Sequence, residues 1–112
     1  METTLTEQKC VACEGGMPPL NCAEAEILLR QVPGWMISGD CTSIGRSLVR
    51  KDFADALDLI HRIGEIAEAE GHHPDLHLTN FKHVMIDLST HAIQGLSNND
   101  FIVAAKINAL LE

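Results

Sequence analysis

Apolar residues recur along this 112-residue chain with two periods that alternate from one segment to the next. Spacings of three and four residues, typical of a helix with one buried face, follow Asn21, Asp52 and Ser97. Strict alternation of apolar and polar residues, typical of a strand with one buried face, is clearest over residues 83–88. The pattern predicts three helices and two pairs of strands in the order α-β-β-α-β-β-α.

The helix boundaries are predicted by residues that favour caps. Asn21 is a good N-cap with a glutamate three residues later, as in a capping box. Asp52 is expected to cap the longest helix, roughly 53–70, and Gly71 is a natural residue to follow its end. The core-facing stripe of this helix is expected to consist of Phe53, Leu57, Ile60, Ile63, Ile66 and Ala67.

Four strands are predicted between these helices. Residues 35–38 and 42–51 flank a Gly-Asp turn, and residues 76–78 and 82–88 flank a Thr-Asn turn, so each pair is expected to form an antiparallel hairpin. A last helix is predicted over 98–110. We therefore expect an α+β fold: a four-stranded antiparallel sheet with helices packed on one face, and a second face that is solvated or meets a partner subunit.

The length of the chain suits one core and is too short for two. We expect a single domain over residues 21–112 and an extended or poorly ordered arm over residues 1–20. Sixteen acidic residues against eight basic ones give a net charge of −8, and no Lys/Arg cluster offsets it locally. Because polyanions repel such a surface, we expect neither a nucleic-acid-binding protein nor one held on anionic lipid.

The oxidation state of the cysteines depends on the compartment in which the protein resides. No apolar run is long enough to span a membrane, and the first residues lack the pattern of a signal peptide, so a cytoplasmic location with reduced thiols is expected. Cys10 and Cys13 form a Cys-x-x-Cys motif, followed by Cys22 and Cys41. A zinc site would require a second close pair, so unligated thiols are favoured over a metal site.

Histidine is the residue in excess: five of the six lie between positions 72 and 91. His72 and His73 follow the long helix, and Pro74 moves His73 out of the helical conformation. If the strands at 76–78 and 82–88 pair antiparallel, the end of the later strand lies next to the start of the earlier one. This pairing brings His91 beside His73. Three imidazoles in one cleft are suited to proton transfer near neutral pH.

Simpler interpretations of several residues remain open at this point. His61, His77 and His83 are expected at exposed positions on the helix and the strands. Ser97 and Asp100 have the spacing of a capping box, and Glu68 has the character of a solvated helix residue. The histidine cluster itself is compatible with an active site, a metal site or chance.

Three motifs together resemble the pterin-4a-carbinolamine dehydratase family: Glu68-Ala-Glu-Gly-His72-His73-Pro74-Asp75, Leu88-Ser-Thr-His91 and Gly95-Leu-Ser-Asn-Asn-Asp100-Phe. The segments Pro33-Gly-Trp35 and Arg50-Lys-Asp-Phe53 precede these motifs in the same order as in the family. The leader, residues 10–20, resembles the arm of bacterial-type members. The resemblance covers essentially the whole chain. Phe81 departs from the pattern, because a Tyr or Trp is commoner there.

The resemblance implies dehydration of 4a-hydroxytetrahydropterin to quinonoid dihydropterin, without a metal or organic cofactor. His72, His73 and His91 correspond to the active-site histidines of the family. Substrate contacts are implied for Glu68, Pro74, Ser89, Thr90, Ala92 and Asp100. A homodimer or homotetramer and a functional link to an aromatic amino-acid hydroxylase are also implied.

Two hypotheses from other classes accompany this interpretation. One is a metal-binding or redox-regulatory protein that uses Cys10, Cys13 and the histidine cluster. The other is a non-catalytic dimer that binds a partner through its open sheet face and apolar helix stripes. The intact set of three histidines argues against the second hypothesis.

Overall fold

A computed structural model describes residues 4–11 and 18–112 of the chain. Its elements follow the predicted order, with the addition of two 3-10 turns at Leu5–Glu7 and His91–Ile93. The helices and strands are α1 (Cys22–Leu29), β1 (Met36–Ile37), β2 (Ile44–Val49), α2 (Phe53–Glu70), β3 (Asp75–Thr79), β4 (His83–Leu88) and α3 (Asn98–Leu111).

The predicted caps set the boundaries of the helices. The amide of Glu24 donates to the Asn21 side chain at 2.8 Å, and the Asn21 amide donates back to the Glu24 carboxylate at 3.0 Å, which completes the capping box of α1. Asp52 accepts from the Asp55 amide at 2.8 Å at the start of α2. Gly71 ends α2 in the left-handed region, with φ of 65°, where a residue without Cβ is unstrained.

The four strands form one antiparallel sheet in the order β1-β2-β4-β3. The predicted alternation holds along β4, where Val84, Ile86 and Leu88 are buried. The opposite face carries exposed residues, among them Ser47, His77 and Met85, which lie opposite one another across β2, β4 and β3. The helices therefore cover one face of the sheet, as expected.

The buried face of α2 agrees with the expected stripe in part, since Ile63 and Ala67 are buried and Ile60 and Ile66 are partly buried against the core. Phe53 and Leu57 are 50% and 46% exposed, whereas the buried positions are Ala56, Leu59, Ile63 and Ala67. The expected stripe is therefore wrong at Phe53 and Leu57, and the buried positions in this part of the helix are Ala56 and Leu59, which have the same helical spacing. Phe53 and Leu57 leave an apolar patch on the surface of the helix. No helix in the described parts of the chain is long and apolar enough to cross a membrane.

The described part of the arm packs against the domain. Residues 4–11 contain a 3-10 turn whose Leu5 is buried in the core, and this turn contacts α3. In this segment the structure differs from the expected extended or poorly ordered arm. Cys13 lies outside the described residues.

Cys22 and Cys41 form a disulfide, which corrects the expectation that they are reduced thiols. Their Cα atoms are 5.4 Å apart, within the range that a disulfide requires. The bond joins the first residue of α1 to the turn between β1 and β2, where Cys41 has a φ of 60°. A separation of 19 residues in the sequence gives no local signal for such a pair.

Candidate active site

A cleft of about 450 Å³ brings His72, His73 and His91 together. It lies where the end of α2, the loop after β4, the start of α3 and the arm meet. Its other lining residues are Val11, Glu70, Gly71, Ser89, Thr90, Ala92 and Asn99. Among the substrate-contact residues expected from the sequence, Ser89, Thr90 and Ala92 therefore line this cleft.

The topology explains why residues so far apart in the sequence meet here. Gly71 turns the chain out of α2, and β3 begins four residues later at Asp75. In the antiparallel register of β3 and β4, Asp75 lies opposite Asp87. The chain that leaves β4 toward His91 therefore lies beside the segment that connects α2 to β3.

A short closed loop holds His91 at the rim of the cleft. The amide of Thr90 donates to the Gly95 carbonyl at 2.7 Å, and this pairing closes the loop at its base. Between them a 3-10 turn begins at His91, and Gln94 takes a left-handed conformation with φ of 54°. The loop fixes the backbone of His91, while its side chain stays exposed.

His72 is the most firmly held of the three histidines. Its Nε2 lies 2.7 Å from Asp100 Oδ1, and its side chain is largely buried. Asp100 has no exposed surface, because it lies behind His72 at the start of α3. Asp100 therefore lies behind the cleft, where it contacts two lining residues, His72 and Thr90, and its expected contact with the substrate stays a prediction.

The second oxygen of Asp100 anchors the carboxylate. Oδ2 accepts from the Thr90 hydroxyl at 2.8 Å and from the Ser97 amide at 3.0 Å. The Thr90 hydroxyl in turn lies 2.7 Å from the Ser97 hydroxyl. Asp100 is thus both the capping residue that its spacing with Ser97 predicts and the partner of His72. With Nε2–H donated to Asp100, a neutral His72 carries its free lone pair on Nδ1.

His73 and Glu68 form a looser pair on the outer side of the cleft. His73 Nε2 lies 3.3 Å from Glu68 Oε1, and both side chains are mainly exposed. Glu68 and Pro74 line an adjoining hollow of about 580 Å³ that shares His73 with the cleft. These two residues, expected at the substrate, are therefore separated from the other two histidines by His73.

The remaining histidines lie outside the cleft. His61 is on the surface of α2, 3.2 Å from Glu65, and His77 is on the exposed face of the sheet, 3.5 Å from Asp87. His83 is at the start of β4, at the other end of that strand from His91. The expected exposed positions of His61 and His77 agree with the structure, whereas His83 is half-buried.

Four lining residues were absent from the set expected from the sequence: Val11, Glu70, Gly71 and Asn99. Glu70 Oε2 accepts from Lys106 Nζ at 2.6 Å, and Oε1 accepts from the Cys10 amide at 2.9 Å. The hydrogen bond from Lys106, followed by that from the Cys10 amide, lowers the pKa of Glu70 below its ordinary value. Contacts that span 60 residues leave no local signal in the sequence.

Cys10 is poorly suited to metal or redox chemistry here. Burial, reinforced by the charge of Glu70, raises the pKa of its thiol to about 12, so it stays protonated at neutral pH. A thiol must lose its proton to ligate a metal. Within residues 4–11 and 18–112, no three His, Cys, Asp or Glu side chains are grouped to hold a metal ion. The metal-binding alternative is not favoured.

The sequence comparisons point to one family. The family model described as "Pterin 4 alpha carbinolamine dehydratase" matches residues 18–110. A relative from Halorhodospira halophila, named for the same family, is 44% identical over 107 residues, which cover 96% of this chain and 97% of that protein. Pterin-4-alpha-carbinolamine dehydratase 2, mitochondrial, of Arabidopsis thaliana is 45% identical over 109 residues, which cover 95% of this chain and 58% of the plant protein.

A solved structure shares the fold. The crystal structure of the transcriptional coactivator/pterin dehydratase from Brucella melitensis superimposes with a TM-score of 0.77 at 30% sequence identity, covering 84% of this chain and 99% of that one. The family match spans all the elements from α1 to β4 and most of α3, and with them the three histidines of the cleft. The chain belongs to the pterin-4α-carbinolamine dehydratase family of hydro-lyases.

Proposed function

We propose that this protein dehydrates 4a-hydroxytetrahydropterin to quinonoid dihydropterin and water, and thereby supports recycling of the pterin cofactor. The observation that carries the proposal is the meeting of His72, His73 and His91 around one cleft, with His72 oriented by a buried carboxylate. Membership of the dehydratase family supplies the substrate class.

The reaction needs an acid and a base. The C–O bond of the carbinolamine breaks as its hydroxyl leaves with a proton, and a C=N bond forms as the neighbouring ring N–H loses one. Imidazoles serve both roles near neutral pH, and each role typically contributes 10²–10⁴-fold in rate.

We assign the base to His72 because its Nε2–H is donated to Asp100, which leaves Nδ1 to accept a proton. The buried carboxylate stabilises the imidazolium that results, as an orienting aspartate does for a catalytic histidine. His73 and His91 are more exposed and are assigned to protonation of the departing hydroxyl. The proposed reaction uses these side chains alone, without a metal or organic cofactor.

The cleft suits a bicyclic, uncharged substrate. Its volume of about 450 Å³ lies within the range of small-molecule sites. Ser89 and Thr90 provide polar groups and Ala92 an apolar one along the same wall. The net charge of −8 is compatible with a substrate that carries no phosphate.

The proposal extends to the source of the substrate, the cellular location and the oligomeric state. A hydroxylase acting on aromatic amino acids would supply the carbinolamine, in the cytoplasm. We propose a homodimer or homotetramer, since β1 and β3 are the edge strands of the sheet among the described residues and the apolar Phe53 and Leu57 are exposed.

The direct test generates the carbinolamine in situ from a tetrahydropterin and follows its decay by absorbance. The proposal predicts that catalytic amounts of the protein accelerate the decay well beyond the buffer rate. Decay at the buffer rate across pH 6–9, with a folded protein, would contradict it.

A further inference from the structure

The described segment 4–11 of the arm contributes to one wall of the cleft. Val11 lines it together with His72 and His73, although these residues are about sixty positions apart in the sequence. Val11 is 71% exposed, so an apolar residue faces solvent at the site where the substrate is proposed to bind. An exposed valine in a cleft gains contact when a ligand displaces the water beside it.

Asn99 holds Val11 in place through two hydrogen bonds. The Val11 amide donates to Asn99 Oδ1 at 3.0 Å, and Asn99 Nδ2 donates to the Val11 carbonyl. Asn99 is buried in the first turn of α3. A side-chain amide that pairs with both backbone groups of one residue fixes that residue as a strand partner would.

A second anchor lies one residue earlier. The Cys10 amide donates to Glu70, whose carboxylate is also bound by Lys106 of α3. Leu5, at the other end of the described segment, is buried in the core. Residues 5, 10 and 11 are therefore each attached to the domain, and the attachment at Glu70 and Asn99 is itself part of the cleft.

We propose that Val11 is a substrate-binding residue, which packs its isopropyl group against the bound reduced pterin, and that Asn99 is a positioning residue that acts through Val11. This inference rests on the proposed dehydration for the identity of the ligand. It makes the arm part of the substrate site. Since the contact is apolar and takes no part in the proton transfers, it affects binding of substrate and transition state equally.

The test compares two exposed valines. Val11→Ala removes the proposed contact, whereas Val49→Ala changes a valine that is 66% exposed on β2, paired with His83 at the end of the sheet away from His91. Val11→Ala should raise KM about three- to tenfold and leave kcat within about twofold. Val49→Ala should change neither constant.

Asn99→Ala tests the positioning role. Asn99→Ala should raise KM by a similar factor. Adding Val11→Ala to this variant should change KM by less than about twofold further, because Val11 is then no longer held in the cleft. Additive effects of the two substitutions would contradict the coupling. Since Val11 is on the surface, Val11→Ala remains informative even if Asn99→Ala destabilises the fold.

Titration with 7,8-dihydrobiopterin separates this inference from the proposed function. A Val11→Ala protein that binds this pterin three- to tenfold more weakly supports the arm contact, whether or not the wild type turns over carbinolamine. An affinity and KM equal to those of the wild type would overturn the inference while leaving the dehydratase activity intact. A wild-type protein that binds the pterin without dehydrating the carbinolamine would overturn the proposed function alone.

Discussion

Asn99 and Asp100, consecutive residues in the first turn of α3, hold two different walls of the cleft. Asn99 Oδ1 accepts a hydrogen bond from the Val11 amide at 3.0 Å and so fixes Val11. Asp100 Oδ1 lies 2.7 Å from His72 Nε2 and fixes the imidazole ring. Successive residues of a helix point about 100° apart, so one turn can support both walls. The N-terminus of α3 is therefore the structural centre of the site.

Asp100→Asn should reduce catalysis more than binding. The asparagine retains the shape of the side chain but lacks the charge that stabilises a protonated His72, so kcat should fall about ten- to a hundredfold with little change in KM. Steady-state kinetics of carbinolamine decay provide the measurement. Asp87→Asn, which alters the carboxylate beside the exposed His77, is the matched control and should retain wild-type kcat.

The same substitution should also lower stability, because Asp100 is fully buried and accepts three hydrogen bonds. We expect the free energy of unfolding to fall by about 1–3 kcal/mol in urea titrations. An Asp100→Asn protein as stable as the wild type would contradict the buried network around Thr90 and Ser97.

The disulfide should contribute to stability under oxidising conditions. Closing a loop of this length typically contributes about 2–4 kcal/mol, so the Cys22→Ser/Cys41→Ser double variant should unfold at a lower urea concentration than the oxidised wild type. Dithiothreitol should bring the wild type toward the variant and leave the variant unchanged. Equal stability of oxidised wild type and variant would show that the bond contributes nothing.

Glu70 should make the attachment of the arm sensitive to acid. Its pKa is lowered in the folded protein by Lys106 and the Cys10 amide, so its ionised form stabilises the fold at pH values above its ordinary pKa of 4.5. This contribution is lost as the pH falls through the lowered folded value. The wild type should therefore exceed Glu70→Gln in unfolding free energy by about 1–3 kcal/mol at pH 7.

The advantage of the wild type over Glu70→Gln should shrink steadily below pH 4.5. Urea titrations of both proteins at pH 7 and pH 3 measure it. A difference that is the same at both pH values would contradict a role for the ionised carboxylate.

The exposed apolar patch on α2 should be covered in an oligomer. Phe53 and Leu57 expose about half of their surface and lie one helical turn apart, so together they form an apolar patch that favours an interface. Light scattering at micromolar concentration should give the mass of a dimer or tetramer, and Phe53→Glu/Leu57→Glu should reduce that mass. Ile27→Glu, a change at an exposed position of α1, is the control. A monomeric wild type would contradict the prediction.

Much of the fold is encoded in local patterns. Asn21, Asp52 and Gly71 fix helix ends through caps that depend on a few neighbouring residues, and alternation in β4 fixes which face is buried. The convergence of His73 and His91 follows from one further step, the antiparallel pairing of β3 with β4. These features are predictable because each depends on short-range rules.

The features that were missed depend on contacts between distant segments. The attachment of residues 10 and 11 to Glu70 and Asn99 spans 60 and 88 residues, and neither end carries a recognisable motif. In α2 the expected stripe was wrong at Phe53 and Leu57, because Ala56 and Leu59 have the same helical spacing and are the buried residues in that part of the helix. The Cys22–Cys41 bond likewise depends on how α1 lies beside the β1–β2 turn.

The central claim, that the histidines of the cleft carry the chemistry, is tested most directly by a pair of double variants in the carbinolamine-decay assay. His73→Ala/His91→Ala removes two imidazoles of the cleft, and His61→Ala/His77→Ala removes two exposed imidazoles outside it. We predict that the first loses at least about a hundredfold in kcat/KM and that the second keeps wild-type activity. Full activity in the first variant, or equal losses in both, would contradict the account.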